Sequence, residues 1–221
     1  MKAVLNWRKH LVKVQKVIIS MNKIFVIADT HFGHRNIVKY CPTRRKYINE
    51  IFPELADFDD TDDRVIMAMT DVIIARWNDV VKADDRVYVL GDFTLDRKMN
   101  NNLITLIGAL NGHKYLVRGN HDVIKSAEYV KAGFEAVYDG PILLWHYIFL
   151  SHEPMPHELI PEGYCNIFGH VHNYTGENWE RGHCVSVEQI DMKPFDITAT
   201  CQKAHTKFDK LQKEKKMANE N

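Results

Sequence analysis

The strongest constraint on this chain is a repeated local pattern: a short apolar run that stops at a glycine or a polar residue. The runs are residues 24–28 (IFVIA), 87–90 (VYVL), 115–117 (YLV), 147–150 (YIFL), 165–168 (CNIF) and 184–187 (CVSV). They are short, β-branched or aromatic, and bounded by Gly, Asp or Asn, which predicts buried strands. Between the first two, Val65, Met69, Val72 and Ile73 recur at helical spacing. Thr61 is the expected cap of that helix, with Asp62 and Asp63 in its first turn. Residues 99–110 predict a second helix that stops near Asn111 and Gly112, and residues 124–132 a third that stops at Gly133. Residues 42–60, with Pro42, Arg44, Arg45 and the acidic Asp57, Asp59 and Asp60, read as an excursion loop. Strands alternating with helices predict an α/β layered domain over residues 21–200. Residues 1–20 carry Lys2, Arg8, Lys9, Lys13 and Lys16 without an acid and read as a basic extension outside the core. Residues 201–221 read as a Lys-rich surface helix or tail.

The residues that follow the runs share a chemistry. Asp29 and His31 follow the first, Gly91-Asp92 the second, and Arg118-Gly119-Asn120-His121-Asp122 the third. Ser151-His152 and Gly169-His170-Val171-His172 follow the fourth and fifth. In α/β sheets, ligands gather outside the carboxyl ends of the strands. Residues two apart on extended chain point to one side, so Asp29 with His31, and His170 with His172, can each face one cavity. Carboxylates, imidazoles and an amide without thiolate suit divalent Mn, Fe, Zn or Ni. Seven such donors are too many for one tetrahedral zinc but suit two ions sharing a carboxylate.

The ordered set DxH, GD, GNHD, H and GHxH, spread over residues 29 to 172, resembles the calcineurin-like metallophosphoesterase superfamily. The longer DTHFGHRNI (29–37) resembles its small phage and bacterial members. The resemblance implies a two-sheet β-sandwich flanked by helices (αββα). It further implies that Asp29, His31 and His172 hold one ion, that Asn120, His152 and His170 hold a second, and that Asp92 bridges them. Manganese is the first expectation for the pair, with iron, zinc or nickel as alternatives. His121 would be catalytic, facing the substrate, and Asp122 would orient it. The implied reaction is hydrolysis of a phosphate ester by metal-bound hydroxide, with His121 assisting the leaving oxygen.

Around this core the sequence leaves choices open. His34 and Asn36 either bind substrate phosphate, brace a ligand or cap a helix. Arg118 either reaches substrate phosphate or is a solvated surface charge, and Arg44 and Arg45 read as a flexible basic turn. His157 reads as decoration of a loop over the site, and Trp77, Trp145 and Trp179 as core or rim. His10, His113, His146, His183 and His205 match no motif position.

The protein serine/threonine phosphatases of the superfamily carry GDxxDRG and GNHE, whereas this chain has GDFTLDRK and GNHD, which disfavours a protein substrate. Without a large cap, the expected substrates are phosphodiesters of nucleotides or nucleic-acid ends. Lys+Arg and Asp+Glu both number 29, so no bulk charge draws the chain to nucleic acid or membrane. Four scattered cysteines without a CxxC pair fit a reducing interior, hence the cytoplasm. No apolar stretch reaches the roughly 18 residues of a membrane span, and no protein partner is expected. Two rival readings are a catalytically inactive scaffold of the same fold and a nuclease that grips its substrate with the basic arm and tail.

Overall fold

In a computed structural model, residues 22–95, 102–144, 147–176 and 182–201 are described. The basic extension at 1–20, nearly all of the Lys-rich tail, Trp145, Trp179, His10, His146 and His205 lie outside the described residues. Two mixed sheets pack as a sandwich with helices outside. The larger sheet is built from β1 (Ile24–Ile27), β2 (Arg86–Val89), β3 (His113–Val117), β4 (Phe134–Tyr138) and β9 (Phe195–Asp196), in the order β4-β3-β2-β1-β9. The smaller is built from β5 (Ile142–Leu144), β6 (Ile148–Leu150), β7 (Cys165–Phe168) and β8 (Gly182–Cys184), in the order β5-β6-β7-β8. β1 to β4 are parallel with β9 antiparallel at the edge, and β6 to β8 are parallel with β5 antiparallel. All four residues of β1 are buried, as a strand covered on both faces must be.

The helices are α1 (Ile37–Tyr40), α2 (Thr43–Ile51), α3 (Asp63–Val80), α4 (Leu103–Gly108) and α5 (Ser126–Ala132). α3 buries Val65, Ile66, Met69, Val72, Ile73 and Trp77 along one stripe, the expected apolar face. Its cap is Asp62 rather than Thr61: the Asp62 carboxylate accepts the Arg64 N–H at 2.9 Å, while Thr61 bonds Asp59. Trp77 is core, and its indole N–H donates to the Asn111 carbonyl at 3.0 Å, which satisfies the one polar atom it buries.

Residues 42–60 are not an excursion loop. They hold α2 and a short 3-10 turn, Pro53–Leu55. Ile48 is buried beneath α2, and the Arg45 guanidinium ties the following turn by donating to the carbonyls of Leu55, Ala56 and Phe58. Among the described residues, no helix is long and apolar enough to cross a membrane.

The parallel strands fix where the site lies. Within each sheet the carboxyl ends emerge on one edge, and the two edges are joined through Ala28. Its N–H donates to the Val185 carbonyl at 2.9 Å, and its carbonyl accepts the Val187 N–H at 3.1 Å. The loops after β1, β2, β3, β6 and β7 therefore converge.

Candidate metal centre

The convergent loops leave the strands through backbone conformations that side chains rarely adopt. Among described non-glycine residues, six have positive φ, and four of these are Asp29 (58°), His31 (48°), Asp92 (52°) and His170 (68°). A left-handed non-glycine residue costs about 1–3 kcal/mol and persists only where its surroundings over-determine it. Here the loops after β1 and β2 hold each other: Asp29 N–H donates to Gly91 O (3.0 Å), His31 N–H to Asp92 O (2.9 Å) and Phe32 N–H to Phe93 O (2.9 Å). Glycines make room at the crowded points. A Cβ on Gly119 would lie 2.2 Å from Asp92 Oδ1, and one on Gly91 would lie 2.5 Å from His152 Nδ1.

Two groups of donors result. Asp29, His31 and His172 bring one ligand atom each within 4.8 Å of one another, and so do Asp92, His152 and His170. Asn120 joins the second group, with its Oδ1 2.8 Å from His152 Nε2; His170 Nδ1 lies 3.1 Å from the same nitrogen. Asp92 stands between the groups. Its Oδ2 is 3.5 Å from His31 Nε2 on one side and 3.5 Å from His152 Nε2 on the other. Backbone and side-chain bonds fix the donors: His152 Nδ1 meets Leu90 O at 2.9 Å, and Asp29 Oδ2 accepts Ser186 Oγ at 2.6 Å and His170 N–H at 2.8 Å.

A cation fits this set. Asp29 Oδ1 and both ring nitrogens of His31 are buried without a hydrogen-bond partner. Leaving such atoms unpaired costs free energy that coordination would offset. The donors are oxygens and imidazole nitrogens, which suit a divalent first-row ion.

The electrostatics follow from burial. Desolvation pushes the Asp29 carboxyl up to about 6, against the pull of His172, Ser186 and His152. Burial, with Arg44 and His172 nearby, pushes His31 down to about 2, so its ring is neutral and ready to ligate. Burial disfavours the charged form of His172, but hydrogen bonds that the ring donates to Cys41 and Glu188 and the charges of Glu188 and Asp29 push it up to about 10. Glu188 is held down to about 2, since Arg44 and His172 outweigh its burial.

Three neighbouring residues have defined partners, and for one of them, Arg44, the expectation is corrected. The Asp122 carboxylate accepts the N–H groups of Asp92 (2.9 Å), Phe93 (3.0 Å) and Gly119 (2.9 Å) and the Tyr129 hydroxyl (2.9 Å). Arg118 does not reach toward the donors. Its guanidinium donates to the Asp122 carbonyl and to Ser126 Oγ (3.1 Å) and lies 3.7 Å from Asp139. Arg44 is no flexible turn, but fully buried between Glu188 and the loop after β1. Asn36 sits at the N-cap of α1 without a side-chain cap bond. His34 is half-buried, its ring 5.5 Å from that of His31. His121 is exposed at the rim; its N–H donates to Asp92 Oδ1 at 2.9 Å and its ring is 5.7 Å from His31. His157 lies in an exposed 3-10 turn, His157–Leu159.

The sequence offers Arg44 only as part of a basic turn and gives no role at the site to Cys41, Ser186 and Glu188. A signal for the last was present: Glu188 directly follows the sixth apolar run, so it obeys the same grammar as the other five. Arg44 carried no such signal, because a buried guanidinium looks like any other arginine in a polar segment.

Comparisons with known proteins agree with this geometry. A family model described as calcineurin-like phosphoesterase matches residues 22–217. An uncharacterized protein of Methanocaldococcus jannaschii is 32% identical over 185 residues, covering 81% of this chain and 89% of the relative. The crystal structure of a protein of unknown function from Aquifex aeolicus superposes with a TM-score of 0.51 at 28% identity, covering 86% of this chain and 99% of that one.

Proposed function

This chain belongs to the calcineurin-like phosphoesterase family, and on that premise we propose that it hydrolyses phosphate esters at a two-metal centre, with phosphodiesters of nucleotides or nucleic-acid ends as its substrates. Asp29, His31 and His172 would hold one ion, Asn120, His152 and His170 the other, and Asp92, between the two groups, would be shared by both. Manganese is the preferred ion. The observation that carries this reading is the position of Asp92 Oδ2, equally distant at 3.5 Å from His31 Nε2 and His152 Nε2.

When bound, such ions supply Lewis-acid activation of water and neutralise charge on phosphate oxygens. The chain's own residues do the rest. The Asp29–His31 side of the centre is closed, whereas Asn120, His121 and His170 are exposed. Substrate therefore enters over the second donor group. His121, tethered there by its N–H to Asp92, bonds a phosphate oxygen and gives a proton to the leaving oxygen. His34, half-buried with its ring 5.5 Å from that of His31, contacts the phosphate or its substituent.

The test is a panel of bis-p-nitrophenyl phosphate, p-nitrophenyl phosphate, cyclic nucleotides and short oligonucleotides, run with Mn, Ni, Zn and Mg against a chelator control. The expected result is metal-dependent turnover that favours diesters and is abolished in Asp92→Asn with the fold retained. Near-normal turnover in Asp92→Asn, or turnover indifferent to EDTA, overturns the reading. Turnover confined to oligonucleotides, with steep salt dependence, would make the chain a nuclease.

A further inference from the structure

Cys41, His172 and Glu188 also bring three donor atoms within 4.8 Å of one another. A third ion there would meet repulsion from the Arg44 guanidinium, 2.6 Å from Glu188 Oε1, although Glu188 Oε2 is buried without a partner. The cluster has a different consequence. Arg44 is fully buried and uses every face of its guanidinium. Nε donates to Glu188 Oε1, one terminal nitrogen donates to Asp29 O at 2.7 Å, and the other donates to Thr30 O at 3.0 Å and approaches Met69 Sδ at 3.4 Å. The same Glu188 oxygen meets His172 Nδ1 at 3.0 Å. Since Nδ1 is engaged, Nε2 is the nitrogen left for an ion.

We propose that Arg44 and Glu188 are positioning residues for one half of the centre: through one buried ion pair they set the left-handed backbone at Asp29 and His31 and the ring orientation of His172. The proposal rests on the metal-centre reading above and extends it to two residues outside the donor set. Three of the donors answer to this pair. Asp29 is reached through its own carbonyl, His31 through the carbonyl of the residue before it, and His172 through Glu188. Neither Arg44 nor Glu188 bonds the second donor group directly, although the His170 N–H donates to Asp29 Oδ2 and the His31 N–H to Asp92 O. That group is held by Leu90 O on His152 and by Asp122 on the backbone of Asp92 and Gly119. Arg44 and Glu188 should therefore govern one ion and leave the other alone. Carboxylates that orient a ligating imidazole typically contribute roughly 10- to 100-fold to metal affinity.

The experiment is a zinc titration of the full chain against a chromophoric chelator, with thermal melting alongside. The unaltered chain should take up two ions. Glu188→Gln keeps an acceptor for Nδ1 but loses the charge that holds Arg44, and should weaken one ion while the other binds as before. The double variant Arg44→Met with Glu188→Leu removes the ion pair without leaving a buried charge unpaired, and such replacements often preserve stability. It should melt near the unaltered chain and still bind one ion roughly 10- to 100-fold more weakly. A folded double variant that binds both ions at full affinity overturns the proposal, as does a Glu188→Gln variant that does so. If the double variant does not fold, Glu188→Gln alone decides. If the unaltered chain takes up no ion, it is the metal-centre reading that fails.

Discussion

At Asp122, two carboxylate oxygens serve four donors, three of them backbone N–H groups from two different loops. This one side chain fixes the loop after β2 against the loop after β3, and thereby the spacing of Asp92 and Asn120. Replacement by Asn keeps the size but turns an acceptor into an NH2 that faces backbone N–H groups. Each buried donor left unsatisfied costs about 1–3 kcal/mol. Asp122→Asn should lower the melting temperature by roughly 2–12 °C for each donor left unsatisfied, given about 2–4 °C per kcal/mol for a chain of this size. Tyr129→Phe removes only one of the four donors, leaves the loops tied and should cost less than half as much. Differential scanning calorimetry of the two variants measures the contrast; equal losses would show that the hydroxyl, not the amides, carries the tie. The sequence places Asp122 next to His121 but carries no information on which way its side chain points. Direction depends on the β2 loop, 30 residues earlier in the chain.

Elements built from continuous apolar runs were legible, and those built at edges were not. β1, β2, β3, β6 and β7 lie where the short apolar runs predict them, whereas the sixth run, 184–187, gives only Cys184 to β8 and then leads into a 3-10 turn, Val187–Gln189. β4 lies at a sheet edge and buries only Phe134, β5 is three residues long and β9 two, so none breaks the background pattern. α2 hid behind its charge, since one of its two buried side chains is Arg44. The strand-to-loop junctions can be tested through their glycines. An Ala Cβ at Gly119 meets Asp92 Oδ1 at 2.2 Å and the Asp92 backbone nitrogen at 2.5 Å, and the backbone has nowhere to go. At Gly108, at the end of α4, the same methyl meets nothing within 4 Å. Gly119→Ala should lose metal uptake and melt earlier. Gly108→Ala should keep its metal and gain up to about 1 kcal/mol from the reduced backbone entropy of the unfolded chain. Metal content by mass spectrometry, read beside the melt, separates the two; a Gly119→Ala chain with full metal content would refute the crowding argument.

For the whole molecule, the two sheets gather buried charge at one shared edge, and that gives the metal-free chain a definite dependence on pH. Glu188, ordinarily near 4.5, is held at about 2 in the fold. The stability it contributes is full above 4.5 and is lost as pH falls through 2. His172, ordinarily near 6.5, is raised to about 10. Its contribution is full below 6.5 and is lost as pH rises through 10. Asp29, raised from 3.8 to about 6, acts in the same direction as His172 but at lower pH. The chelator-treated chain should therefore be less stable at pH 9–10 than near pH 6, and should weaken again below pH 4.5. An ion that takes His172 as a ligand needs the neutral ring, so uptake must release its proton. Affinity should accordingly rise with pH across the range in which the metal-free fold weakens, and the loaded chain should lose the alkaline decline. Melting curves from pH 4 to 10, with and without manganese, test the shape, and calorimetric titrations in buffers of different ionisation enthalpy count the protons. His172→Gln should flatten the alkaline limb of the metal-free curve. If that limb persists unchanged in the variant, the charge stored at the sheet edges lies on some group other than His172.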